Sequence, residues 1–399
     1  MKEADLKVNH ETSERSYSLI TAILFWCGLV VVSSLYITIP LVSVFAEAFK
    51  VSTSQAAWIG SAFSFCYAVG FLFIGPLSDR YGRKQIILIG LIVLTIVSPV
   101  IALLDNLSWL IALRAIQGIA AATFAPAALS YVVEHFPAEK RITTTGFVST
   151  GFLMSGIVGQ VFSSLISENF GWNFVFYILG VVYLITAILV TLFIPMSDAP
   201  QIKGSMLDSF KQMGKVFTQK SLILCYIITI TLLLSFVGMY TTLGNYLSGT
   251  FGLNNQDILY VRCVGILGML VSPFSGKLVT KFGIHAVIRV GLSLAVLGLA
   301  IFGVSTNLVF LIVMSVVFVA GVSITISTLI SLVGQLGGMA RGAAISLFSF
   351  ILFMGATLGP IVAMGILSIS SYLLTFELLA LLLGVGLIAS ILIKSRDQV

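Results

Sequence analysis

The feature that most limits what this chain can become is a series of long apolar runs almost free of charge. Leu222 to Leu234 and Leu308 to Ala320 contain no Asp, Glu, Lys, Arg or His. Inside a bilayer every backbone N–H and C=O needs an internal partner, so only helices or closed β-barrels can cross. Barrel strands are short and alternate apolar with polar residues, which these runs do not. Composition agrees: 58% of residues are hydrophobic, 9% are charged and the mean hydropathy is +1.12. A soluble domain carries roughly 25% charged residues. The expected fold class is an all-α membrane protein with lipid as part of its solvent.

With about 20 residues needed per crossing, twelve spans are expected, at 18–43, 55–77, 84–104, 108–133, 143–166, 173–194, 221–246, 257–275, 285–304, 307–333, 343–366 and 370–393. If the N-terminus is cytoplasmic, 17 of the 21 Lys and Arg fall on that side and only Lys50 falls in an outer loop. Arg114, Arg262 and Arg289 remain in or at the edge of spans. This split follows the positive-inside rule and places both termini inside a cytoplasmic membrane. It also explains the net charge of +6 without a nucleic-acid partner. The expected organisation is a cytoplasmic tail at 1–17, a six-helix bundle at 18–194, a cytoplasmic tether at 195–220, a second bundle at 221–393 and a tail at 394–399. The first 17 residues carry both signs of charge and do not resemble a cleaved signal, so the first apolar run is expected to stay.

An internal repeat supports the division. Gly75-Pro-Leu-Ser-Asp-Arg-Tyr-Gly82 follows span 2, and Gly276-Lys-Leu-Val-Thr-Lys-Phe-Gly283 follows span 8, 201 positions later. Arg141 before span 5 matches Arg341 before span 11 at an offset of 200. In the first copy, Asp79 stands among Arg80, Arg83 and Lys84. It can pair with an arginine or face a helix N-terminus, where the dipole favours negative charge. Gly75 and Gly82 allow tight turning and close helix approach.

The run from Gly75 to Lys84 resembles the signature between helices 2 and 3 of the major facilitator superfamily. Arg114, Gln117 and Gly118 in span 4 stand at the spacing of that family's helix-4 motif. The resemblance implies two pseudo-symmetric six-helix bundles and transport of a small molecule by alternating access. It associates Arg114 with proton coupling. Read without the family, a mid-span guanidinium is costly and marks a polar route through the bundle. The alternative is a structural arginine bonded to backbone carbonyls. Span 5 carries Gly146, Gly151, Gly156 and Gly159, without the Gly-Pro pair of many antiporters in the family; Gly359-Pro360 is in span 11. The pathway residues expected by resemblance, on helices 1, 4, 7 and 10, are Tyr36, Arg114, Gln117, Tyr240, Asn245 and Ser323, with Arg262 of span 8 as a second buried cation. The possible proton carriers are Asp79, Glu134 and Glu377.

No Walker A stretch and no hydrolase or metal cluster is present, so neither ATP nor a cofactor is expected. Cys27, Cys66, Cys225 and Cys263 read as packing residues inside spans. The expected activity is export of a drug-like compound or sugar by proton antiport from a monomer. The alternatives are a uniporter, an importer, or a sensor that kept the fold without transporting.

Overall fold

The structure, a computed structural model, describes residues 2–196, 214, 216–302 and 307–393, with side chains from residue 17 onward except at 53, 255 and 339. Most of the expected 195–220 tether, including Lys203, Lys211 and Lys215, lies outside the described residues, as do the 394–399 tail and the side chains of the first 16 residues. Every described element is helical. Among the described residues, eleven helices are long and apolar enough to cross a membrane, and the apolar stretch Tyr17–Ser33 adds a shorter twelfth.

The spans are Lys2–Ser33, Thr53–Tyr81, Arg83–Ala102, Leu107–Ala122 continued by Phe124–His135, Ala138–Phe170 and Trp172–Phe193 in the first half. The second half has Lys220–Phe251, Asn255–Met269 continued by Ser275–Phe282, Ile284–Phe302, Leu308–Leu336, Arg341–Ile369 and Tyr372–Leu392. Two expectations need correction. Span 1 ends its helix at Ser33 rather than near 43, and turns carry the chain to a short helix, Val42–Ala48. Pro40 disfavours helix in the residue before it, while Ile37, Ile39 and Leu41 keep the segment apolar. The segment from Gly75 to Lys84 is not a loop either: span 2 stays helical through Pro76 to Tyr81 and span 3 starts at Arg83. Gly82 alone makes the reversal, at φ 94°, a conformation that L side chains avoid.

The fold is two pseudo-symmetric six-helix bundles, and the duplication can be read atom by atom. Gly283 repeats the Gly82 reversal, at φ 83° and 201 positions later. Asn106 caps span 4 by accepting from Ser108 and Trp109 N–H; Asn307 caps span 10 by accepting from Val309 and Phe310 N–H. Gly90 lies against Thr123, and Gly291 lies against Thr325. Gly159 meets the Ser33 carbonyl, and Gly359 meets the Leu234 carbonyl. Arg141 Nε donates to the Phe136 carbonyl at 2.7 Å, and Arg341 Nε donates to the Gly334 carbonyl at 2.9 Å. Principal helix pairs follow the same rule. Spans 1 and 5, 2 and 4, and 3 and 6 pack together, as do 7 and 11, 8 and 10, and 9 and 12. Contact between the halves runs through span 2 on span 11 and span 5 on spans 8 and 10.

Spans 3, 6, 9 and 12 lie outermost and carry exposed apolar rows, such as Ile89, Ile92 and Ile96, or Leu381, Val385 and Ile388. Rows of that kind need hydrocarbon around them. With lipid outside and apolar cores inside, helix association depends on close approach of small residues. Gly118 is one such point: a Cβ there would collide with the Phe63 carbonyl and lie 3.0 Å from Tyr67 N. Gly118→Val is expected to separate spans 2 and 4 and destabilise the fold by about 1–3 kcal/mol. Gly365→Ala, where a Cβ meets nothing within 4 Å, should leave the unfolding midpoint of purified protein unchanged; an equal fall in both variants would contradict this account of the packing.

Candidate functional site

The first element of the site is the seam between the halves at the Gly75–Lys84 end. Gly75 sits against Ser346 of span 11, with no room for a Cβ. One turn on, the Asp79 carboxylate lies against Gly342 in the first turn of span 11. A negative charge there meets the positive end of that helix dipole. Asp79 also pairs with Arg83, which bonds Glu134 of span 4 through Nη2 at 2.7 Å and Nε at 3.3 Å. Both alternatives read for Asp79 are therefore present together. Arg83 is buried, and Lys84 is buried with its Nζ on the Thr191 carbonyl at the end of span 6. Arg80 is exposed and lies over the Tyr81 ring. The symmetry-related seam joins Gly276 to Thr143 of span 5, and Gly146 approaches Ser272.

Arg114 forms the second element, and it does not line the cavity between the halves. It is fully buried. Its Nη1 donates to Gln117 Oε1 at 2.8 Å, its Nη2 to the Ser34 carbonyl at 2.9 Å and its Nε to the Ile59 carbonyl at 3.4 Å. The Phe63 ring lies 4.2 Å beneath the guanidinium. Gln117 continues to Ser98 Oγ of span 3 at 2.8 Å, and Ser34 Oγ bonds Tyr183 of span 6. The arrangement is the one described above as a structural arginine on backbone carbonyls. The close crossing of span 4 over span 2 at Gly118 turns Arg114 and Gln117 toward the axis of their own half. Ser323, also expected on the route, is sealed at the contact of spans 8 and 10, donating to the Met269 carbonyl at 3.0 Å.

The third element is a cavity of about 400 Å³ between the halves. Its walls come from the turn after span 1 and from spans 5, 7, 8, 10 and 11, rather than from helices 1, 4, 7 and 10. Of the residues named above for the pathway, Tyr36, Tyr240, Asn245 and Arg262 line it; Arg114, Gln117 and Ser323 do not. Ser149, Gln160, Phe152 and Phe353 also line it and were missed. The polar, small-residue face of span 5 was the available signal, although its glycines also serve packing: Gly151 meets the Phe25 carbonyl and Gly159 the Ser33 carbonyl. At the end away from Gly75–Lys84, lining residues Ile39, Asn245 and Met364 are exposed. At the other end, Ser149, Met269, Ile326, Leu352 and Phe353 are buried. The cavity thus opens at one end and is closed toward the seam. Of the candidate proton carriers, Asp79 and Glu134 lie at the seam, and Glu377 lies in span 12, which packs on spans 7 and 9. None lines the cavity.

Removing the Arg114 fork would orphan the buried Ser34 carbonyl, at about 1–3 kcal/mol for an unsatisfied group, and would strip Gln117 Oε1 of its donor. Arg114→Gln is expected to lower the unfolding midpoint of the purified protein. Arg114→Lys should fail to restore it, because one ammonium cannot reproduce a planar fork. Full rescue by lysine would show that charge alone matters.

Residues 24–340 match the family model described as Major Facilitator Superfamily. A Lactococcus lactis protein described as a homolog of the multi-drug resistance efflux pump PmrA is 30% identical over 282 residues, covering 67% of this chain and 68% of that one. An uncharacterized transporter of Buchnera aphidicola is 26% identical over 351 residues, covering 86% of this chain and 84% of that one. Among solved structures, the Major Facilitator Superfamily transporter FucP, in its outward conformation, superposes with a TM-score of 0.77 at 16% identity, covering 95% of this chain and 99% of that one. That likeness carries the fold, and the family match spans most of the chain: it belongs to the Major Facilitator Superfamily.

Proposed function

We propose that this transporter exports a small organic solute across the cytoplasmic membrane by alternating access, exchanging it for protons. The observation that carries the reading is the one-ended cavity between the halves, closed toward the Gly75–Lys84 seam. Binding sites at the interface of two repeats, reached alternately as one bundle rocks on the other, are the general arrangement of such transporters. The halves that rock are 18–194 and 221–393, linked through 195–220. The lysine and arginine distribution puts the seam end, with both termini, in the cytoplasm, so the open end faces outward. Export as the direction is supported by relatives in Lactococcus lactis and Streptococcus pneumoniae described as multi-drug resistance efflux pumps.

Asp79 and Glu134 are the carboxylates nearest the parts that must separate. In this reading a proton on Asp79 weakens its hold on both Arg83 and the start of span 11 and lets the seam part. Uniport is favoured by one observation: among the described residues lining the cavity there is no Asp or Glu.

Two measurements test the proposal. In inside-out vesicles, solute uptake should follow an imposed pH gradient; flux that is indifferent to collapse of the gradient removes the coupling and leaves uniport. Asp79→Asn should insert and fold normally while flux falls about five- to tenfold, since a charge at a helix end is worth about 1 kcal/mol. Unchanged flux in Asp79→Asn would remove the seam from the mechanism.

A further inference from the structure

We propose that the cavity recognises an amphipathic organic anion, with an apolar body against Phe152, Phe236 and Phe353 and one carboxylate or comparable anionic group on Arg262. The inference rests on the reading of this cavity as the site of the transported solute.

Charge is the first argument. Arg262 is the one arginine or lysine among the described lining residues, and no acid accompanies it there. Its own helix offers Asp257 five residues earlier, yet the two form no ion pair. A guanidinium has five N–H donors. One is engaged, by Nη2 to the Tyr240 carbonyl at 3.1 Å. Arg262 Nε is buried without any partner.

The chain supplies its own control. Arg114 is a fully buried span arginine, and its donors are engaged by two carbonyls, a glutamine oxygen and an aromatic face. That is what a structurally satisfied arginine looks like in this protein. Arg262 differs in having donors left over beside a cavity that the residue lines. Buried polar groups normally find partners, so the vacant donors mark where an acceptor belongs.

Seating is the second argument. A Cβ on Gly244 would stand 2.9 Å from Arg262 Nη2, and one on Gly265 would collide with the Tyr240 hydroxyl. Two glycines thus leave room for the guanidinium and the phenol at the boundary of spans 7 and 8. The Tyr240 hydroxyl and Ser149 Oγ are likewise buried without partners, and both residues line the cavity. A carboxylate accepts well from a guanidinium fork and from hydroxyls together. Most of the remaining wall is aromatic and aliphatic, and the volume falls within the roughly 300–1,000 Å³ usual for small-molecule sites. A cationic solute would meet an unpaired positive charge with nothing to offset it.

The test uses the purified full chain and three probes with one apolar body: phenylhexanoate, phenylhexanamide and phenylhexylamine. Binding is read by titration calorimetry and by the shift in unfolding midpoint. The expected order is anion, then amide, then amine, with the anion about tenfold or more tighter than the amide. Arg262→Gln should erase that preference while keeping its unliganded unfolding midpoint, and Arg262→Lys should retain the order at reduced strength. The proposal is overturned if the amine binds as well as the anion, if Arg262→Gln keeps the preference, or if none of the three binds folded protein. Flux assays separate this from the transport reading. Anion binding without flux would sink transport and leave the site, whereas proton-driven flux of some other solute without anion binding would do the reverse.

Discussion

The first half is organised around one cation that has nowhere else to go. In hydrocarbon a guanidinium must be satisfied by whatever surrounds it, and Arg114 is satisfied by the backbones of two neighbouring spans. Ser34 belongs to the turn after span 1 and Ile59 to span 2; Gln117 carries the network on to Ser98 of span 3, and Ser34 carries it to Tyr183 of span 6. Ser33, one residue earlier, donates to the Ser155 carbonyl of span 5 at 3.4 Å. A single side chain and its immediate partners therefore tie the turn after span 1 to spans 2, 3, 4 and 6, and the adjacent Ser33 adds span 5. They also hold the non-helical turn from which Tyr36 and Ile39 reach the cavity wall. Exposed to lipid, such a turn would leave backbone groups unpaired; here Arg114 supplies a partner for one of its carbonyls. Arg114 thus bears on the cavity through backbone that it fixes.

The second half organises itself differently. Its interior arginine, Arg262, sits on span 8, bonds one carbonyl of span 7 and keeps donors free at the cavity. The two halves share helix pairing, caps and glycine contacts, yet Arg114 and Arg262 occupy unrelated positions in them. Architecture is duplicated, and polar chemistry is not. That division suits a transporter: matched bundles can move against each other as similar bodies, while each contributes a different face to the ligand.

Much of this was legible in the residues. Hydropathy marks twelve spans because lipid enforces it residue by residue. The duplication was readable from Gly75–Gly82 and Gly276–Gly283, since the Gly82 and Gly283 reversals admit little else. The cavity was only partly legible. Tyr36, Tyr240, Asn245 and Arg262 stood out as polar groups in apolar spans. Arg114 and Gln117 stood out for the same reason, but which way they face depends on how span 4 crosses span 2 at Gly118, and periodicity along one helix carries no crossing angle. Phe152 and Phe353 were hidden among 29 phenylalanines, where lipid-facing, core and cavity roles look alike. The break in span 1 was masked because its turn is as apolar as the helix it interrupts.

The paired seams have one further consequence. Gly75 on Ser346 and Gly276 on Thr143 are symmetric neighbours in shape, but the charged residues beside the first have neutral counterparts beside the second. Asp79, Arg83 and Glu134 are matched, 201 positions on, by Thr280, Ile284 and Gln335. The first junction carries an ion-paired cluster, whereas Lys277 and Lys281 beside its twin form no ion pair among the described residues. An agent that acts on that ion pairing, such as acidity or a bound counter-ion, meets the cluster on one side of the pseudo-twofold axis and finds no matching cluster on the other. An ancestrally even-handed scaffold thereby acquires a handedness in how it can be regulated.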